Sequence, residues 1–434
     1  MNIKTVTVLG ANGSMGRNVA GIFASFGNAK VYMVCRSLQD AKNAKMVASK
    51  TVKAETIDKN LIAKTYDDLE ECISNSDFVF ESVAESMDVK KHVYSLISSY
   101  LTPNTIIGTG TSGLSINELS KSFDLENRKN YLGIHMFNPP YNMTLCEVIP
   151  SEQTSKELLE DIKRYLKTVL YRDVVEVNDE PAFMGNRIGF QFINEVLQYA
   201  ELYKENGGID YIDTILGGFT GRSMPPLVTS DFVGLDVHKA IVDNVYEHTK
   251  DFANETFKLP NFAEELIAQN KLGRKTGVGL YRAVTDKAGV KTKEVFDIAT
   301  KKYRKTKDYD FYFVSEMKKN LRTGNYHEAF DILKNNDSIE SNICFQFLIK
   351  YVLYGLATTK SIGENIHSAD HVMATGFGWI PPLAVIDAFG GIDQFKQVIL
   401  EKLSSDYLTS VDINEVLKDI PASSYDYRSF LKAK

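Results

Sequence analysis

Two stretches of the chain carry residue types able to do chemistry. The first is VTVLGANGSMGRNVA, where Gly10, Gly13 and Gly16 follow an apolar run and precede helical spacing. A strand, a glycine turn and a helix start form a phosphate cradle, because unpaired amides at the helix N-terminus face the anion. The usual dinucleotide turn is G-x-G-x-x-G, whereas this one reads G-x-x-G-x-x-G. Gly10 can still bend the chain, Gly13 can admit a pyrophosphate, and Gly16 can pack helix on strand. With Asn12, Ser14 and Met15 between them, these glycines predict a nucleotide site. The second stretch is GIHMFNPPYNMTLCEVI, where His135 ends one apolar run and Glu147 lies in the next. An imidazole passes protons near neutrality, and a carboxylate can orient it and stabilise its charged form. Taken alone, two such residues so far apart are more simply unrelated, and a histidine at a strand end is usually structural.

The end of the second strand decides which dinucleotide is favoured. NAD sites carry an acid there that accepts the ribose 2′-hydroxyl. In VYMVCRSLQ the corner holds Cys35, Arg36 and Ser37, and no acid. Arg36 offers a planar cation to a 2′-phosphate and Ser37 a second donor, which favours NADP over NAD.

These residues need elements to hold them. Apolar runs TVTVLG, KVYMVC, DFVFESV, TIIGTG, YLGIHMF and LCEVI fill the first 150 or so positions, with helical patterns between the early ones. Such alternation predicts an α/β, doubly wound, mainly parallel sheet of Rossmann type, whose strand ends bind ligands. Beyond Ser155 the pattern turns helical, with NRIGFQFINEVLQYAELYKE as a core helix. A charged stretch, TDKAGVKTKEVFDIATKKYRKTKDYD, reads as a linker with a small hairpin at its centre. The sequence then repeats itself: IGFQFINEVLQYA is echoed by ICFQFLIKYVLYG, and PPLVTSDFVGLD by PPLAVIDAFGGID, at nearly the same offset. One duplicated helical module explains both echoes.

Composition narrows the partners. The 434 residues carry a net charge of −6, which gives no general attraction to nucleic acid or an anionic membrane. Cys35, Cys72, Cys146 and Cys344 are scattered without a CxxC or Cys/His cluster, which predicts inert thiols, no metal and a reducing compartment. No apolar run approaches the roughly 20 residues that span a bilayer. With a first strand starting near Lys4, a cytoplasmic protein without a leader is expected.

The segment His-x-x-Asn-Pro-x-x-x-Met-x-Leu-x-Glu-Val, here His135, Asn138, Pro139, Met143, Leu145, Glu147 and Val148, resembles that of the L-3-hydroxyacyl-CoA dehydrogenases. The likeness extends over ESVAESMDVK, GTGTSGL, NRIGF, PPLVTSDFVGLDV and LGRKTGVGLY. It implies NAD(P)-dependent interconversion of 3-hydroxyacyl-CoA and 3-oxoacyl-CoA, a step of fatty-acid β-oxidation. His135 would exchange the hydroxyl proton and Glu147 would hold its imidazole. Ser112 and Asn186 would hydrogen-bond the substrate oxygen or the histidine. Glu85 and Lys90 would lie near the cofactor's ribose and nicotinamide. Gly110 and Gly113 depart from the family pattern, and the sequence reading is a roomier or more flexible turn around Ser112.

The resemblance divides the chain into a dinucleotide-binding domain, 1–183, a helical domain, 184–282, a charged linker, 283–338, and a second, degenerate helical domain, 339–434. Some relatives carry two such helical modules. The second copy is read as structural, taking the place of a dimer partner in an internal pseudo-dimer, with a homodimer as the other arrangement. Dehydrogenation of a free hydroxy or sugar acid, and a non-catalytic dinucleotide-binding role, are the alternative functions.

Overall fold

The computed structural model describes residues 1–52, 57–217, 224–285, 289, 291–323 and 325–422. They form two units: Met1–Phe183 with Ile362–Glu364, and Met184–Ser361 with Asn365–Lys434.

The first unit is built on eight strands: β1 (Thr5–Leu9), β2 (Lys30–Cys35), β3 (Leu61–Thr65), β4 (Phe78–Glu81), β5 (Ile106–Thr109), β6 (Tyr131–Met136), β7 (Leu145–Pro150) and β8 (Asp173–Glu176). Their order is β3-β2-β1-β4-β5-β6-β7-β8. Neighbours pair in parallel, except that β6 and β7 are antiparallel. The first six strands follow the order of a doubly wound dinucleotide-binding sheet, with its switch point between β1 and β4. Central strands read as continuous apolar runs because both faces are covered. Thus Val6, Val8, Val31, Met33, Phe78, Phe80, Leu132 and Ile134 share one core with Val19, Ile22 and Phe23 of α1 (Ser14–Ser25).

In the second unit the helix Gly185–Leu202 is buried without a break from Gly185 to Leu197, so it is a core element rather than an amphipathic surface one. The helix Ile339–Ile362 carries the echoed sequence. The two copies share a capping device as well as a sequence. Asp213 accepts from the Leu227 amide at 2.8 Å at the start of the helix Pro226–Val233. Asp370 accepts from the Leu383 amide at 2.9 Å at the start of Pro382–Ala388. Residues at equivalent positions also meet: Phe192 and Phe347 pack edge to face at 5.4 Å, and Lys350 donates to Glu195 at 2.6 Å.

The stretch 283–338 differs from the expected linker. Antiparallel strands β9 (Tyr281–Thr285), β10 (Lys291–Asp297) and β11 (Lys302–Lys305) lie in the order β11-β10-β9. Helices Tyr312–Thr323 and Tyr326–Lys334 follow. The described lysines of the stretch, from Lys291 to Lys307, stand on exposed positions, while Val295, Phe296, Phe313, Met317 and Phe330 are buried. Parts of the expected domains, 218–223 of the first helical module and 423–434 of the second, lie outside the described residues.

Candidate active site

The glycine turn is built as a cradle. Gly10 has φ +75, and a Cβ there would stand 2.5 Å from the Ser82 carbonyl oxygen, so only glycine fits. A Cβ on Gly16 would stand 2.6 Å from the Gly10 oxygen, so this glycine lets α1 close onto the turn. Gly13 caps α1 without a side chain, and a Cβ there would meet nothing nearer than the Gly10 oxygen at 3.4 Å. The longer turn folds back on itself, with the Gly13 amide donating to Gly10 at 3.1 Å. Ser14 and Met15 begin α1, whose opening amides receive no capping side chain. Amides so placed suit an anion, assisted by the helix dipole.

A cavity of about 690 Å³ opens beside this turn, lined among others by Gly10, Asn12, Gly13, Arg36, Tyr66 and His92. That volume suits a small molecule or cofactor. None of its lining residues is a carboxylate. Phosphate-ready amides, a planar cation and the apolar wall of Val89, Val93 and Leu96 together fit a nucleotide. Ser37, the second donor expected at this corner, is engaged locally. Its hydroxyl donates to the Asp40 carboxylate at 2.7 Å and accepts the Asp40 amide at 3.1 Å, which serves the start of α2 (Leu38–Val52). Cys35 also lines the cavity, but burial pushes its thiol up to about 11, so it is a poor nucleophile.

The His–Glu pair is made by strand register. β6 and β7 set His135 opposite Glu147, and directly opposed residues of an antiparallel pair point to one face. His135 Nδ1 and Glu147 Oε2 are 2.7 Å apart, with side chains 5% and 0% exposed. The rings of Phe137 and Phe183 stand 4.6 and 5.6 Å from the imidazole. With Nδ1 facing the carboxylate, Nε2 is the nitrogen left to exchange a proton.

Of the remaining expected residues, those of the first unit form a network. Glu85 accepts from the Thr111 hydroxyl at 2.6 Å and from the Ser112 amide at 2.7 Å. Lys90 is 1% exposed and is not among the cavity's lining residues; its ammonium is 2.7 Å from Glu81 and 3.4 Å from Glu85. Glu81 and Thr111 stand in the segments ESVAESMDVK and GTGTSGL, but their sequence assigned them no role. The signal for Glu81 was a carboxylate ending a central apolar strand, where ligands collect in such sheets. Gly110 does not leave a roomier turn: a Cβ there would stand 2.8 Å from the Phe80 ring, which already fills the space. Asn186 is buried in the first turn of the helix Gly185–Leu202, in the second unit. Among the described residues, no group of three or more His, Cys, Asp or Glu could hold a metal ion.

Residues 5–180 match the NAD-binding domain of 3-hydroxyacyl-CoA dehydrogenases, and residues 183–283 match their C-terminal domain. The chain belongs to the 3-hydroxyacyl-CoA dehydrogenase family. Family membership makes a nicotinamide dinucleotide the cofactor class of this chain. A 3-hydroxybutyryl-CoA dehydrogenase of Clostridioides difficile is 30% identical over 289 residues, 64% of this chain and 98% of that protein. A probable 3-hydroxyacyl-CoA dehydrogenase of Bacillus subtilis is 28% identical over 342 residues, which are 78% of this chain but 42% of that protein. The crystal structure of 3-hydroxybutyryl-CoA dehydrogenase from Escherichia coli shares the fold, with a TM-score of 0.68 over 94% of this chain and 95% of that one, at 20% identity. Among the described residues, no helix is long and apolar enough to cross a membrane.

Proposed function

We propose that this member of the 3-hydroxyacyl-CoA dehydrogenase family interconverts a 3-hydroxyacyl-CoA and a 3-oxoacyl-CoA, with NADP preferred over NAD. The observation that carries the reading is the buried His135–Glu147 pair, set by strand register in a unit that also holds a phosphate cradle. A bound dinucleotide supplies the hydride acceptor or donor for C3 of the substrate. In oxidation His135 Nε2 takes the hydroxyl proton as the C3 hydride departs; in reduction it returns that proton to the forming alkoxide. Glu147 fixes the ring through Nδ1 and stabilises the imidazolium that results. Burial strengthens this pairing, because the surrounding medium is less polarisable than water. By the family resemblance, Ser112 and Asn186 would hydrogen-bond the substrate oxygen or the histidine, preorganised for the charge that develops there. Gly10, Asn12, Gly13, Ser14, Met15 and Gly16 would hold the phosphates.

Arg36 supports the NADP preference, since it lines a cavity that has no carboxylate to receive a 2′-hydroxyl. The free, buried state of Cys35, Cys72, Cys146 and Cys344 supports a reducing, cytoplasmic setting. The packing of Phe192 on Phe347 supports an internal pseudo-dimer, which leaves a monomer as the working unit.

Initial rates on acetoacetyl-CoA with NADH and with NADPH test both statements. Turnover with NADPH preferred is expected, and Arg36→Asp should shift preference toward NADH. No turnover with either cofactor would overturn the acyl-CoA reading in favour of a free hydroxy acid or a non-catalytic role. A preference for NADH that Arg36→Asp leaves unchanged would overturn the 2′-phosphate assignment.

A further inference from the structure

Lys90 stands on the helix Met87–Ile97 with its side chain 1% exposed, and Glu81 at the end of β4 is 0% exposed. A buried ammonium is costly unless it is both paired and hydrogen-bonded. Lys90 Nζ meets Glu81 Oε1 at 2.7 Å and Glu85 Oε2 at 3.4 Å. Glu81 is held from three further sides. Its carboxylate accepts from the Val83 amide at 2.7 Å, the Thr109 hydroxyl at 2.7 Å and the Tyr94 hydroxyl at 2.9 Å. Burial raises the Tyr94 hydroxyl well above its ordinary value, so it remains a donor. Val83 itself walls the nucleotide cavity, next to Ser82 and Ala84. On the far side, Glu85 gathers the Thr111 hydroxyl and the Ser112 amide.

We propose that Glu81 is a positioning residue that ties the wall of the nucleotide cavity to the turn carrying Ser112, through a chain from the buried Glu81 and Lys90 to Glu85. The proposal rests on reading that cavity as the dinucleotide site. Glu81 acts through the Val83 amide on one side and through Lys90 and Glu85 on the other. Neutralising Glu81 leaves a buried ammonium beside one carboxylate that is 45% exposed. The ammonium then keeps a single charged partner, and the link from the cavity wall to Glu85 is weakened. A side chain that only filled space would be replaced without loss by glutamine, which has the same shape.

The test is fluorescence titration with NADH and with NADPH, without acyl substrate. For the tighter cofactor, Glu81→Gln should bind at least about tenfold more weakly than wild type, the cost of one charge-assisted hydrogen bond. Lys90→Met alone should also weaken binding about tenfold, with Glu81 still held by its three other donors. Glu81→Gln combined with Lys90→Met should bind no more weakly than either single variant, because both cut the same chain. Wild-type affinity in Glu81→Gln, or losses that multiply in the double variant, would overturn the proposal. So would wild-type affinity in Lys90→Met, a result that stands even if Glu81→Gln does not fold. If wild type binds neither cofactor, the dinucleotide reading fails and this proposal fails with it; normal wild-type binding isolates the fault here.

Discussion

In the proposed reaction His135 and Glu147 acquire their chemistry from each other, because the imidazole becomes an imidazolium as it takes the proton. A carboxylate at 2.7 Å supplies the opposing charge and holds the ring so that Nε2 can act. Substitution of the histidine by a residue of similar size should therefore remove proton transfer and little else. His135→Gln is expected to lower kcat by about 10²–10⁴-fold, the usual worth of a positioned general base. Its NADPH affinity should match that of wild type, measured by fluorescence titration. Glu147→Gln keeps a hydrogen-bond acceptor but loses the charge. It should also cost at least about 10²-fold in kcat, because the imidazolium then forms without a counter-charge. A Glu147→Gln enzyme with wild-type kcat would show that orientation alone suffices.

The elements turn these residues into sites, and their glycines and buried acids are where they can be tested. At Gly16 a methyl would press on the Gly10 carbonyl, which is backbone and cannot swing aside. Gly16→Ala should cost about 1–3 kcal/mol in denaturant unfolding, as overpacked interiors do, and should weaken cofactor binding as the cradle is displaced. In the second unit, burial pushes Asp213 up to about 7 and Asp231 up to about 6, from a usual 3.8. Each carboxyl thus binds its proton more tightly folded than unfolded, so its contribution to stability is full below about pH 3.8 and is lost as pH rises toward about 7 for Asp213 and about 6 for Asp231. Asp213→Asn removes one such titration. The Tm of the variant relative to wild type should accordingly rise between about pH 4 and about 7; a flat difference would rule Asp213 out. Legibility in the sequence followed the same division. Central strands announced themselves by continuous apolar runs, whereas LIAKT of β3 and DVVE of β8 are short edge strands, partly exposed and mixed in character. His135 and Glu147 could be named from a motif, but their union came from a β6–β7 register that spacing does not disclose. Glu81 opened the quoted ESVAESMDVK segment but received no role, because its partners come from elements far apart in the chain, and charge masked the small core beneath β10.

For the whole molecule, the second helical copy does more than extend the chain. Equivalent positions of the two copies face each other, as they do across a two-fold axis. At one such position the copies differ in sign: Glu195 is 6% exposed and Lys350 is 15% exposed. Two first copies meeting in the same way would set Glu195 against Glu195, two like charges with little access to water. The opposite charge in the second copy therefore favours pairing within one chain over pairing between chains, specificity gained partly by penalising the alternative. Lys350→Glu should be destabilised by about 3 kcal/mol in denaturant unfolding, because a largely buried charge is left facing its like. Glu195→Lys should do the same. Carrying both changes in one chain restores opposite charges with the ends exchanged, and most of the loss should be recovered. A double variant as unstable as the sum of the singles would show that shape, not charge, governs the pairing.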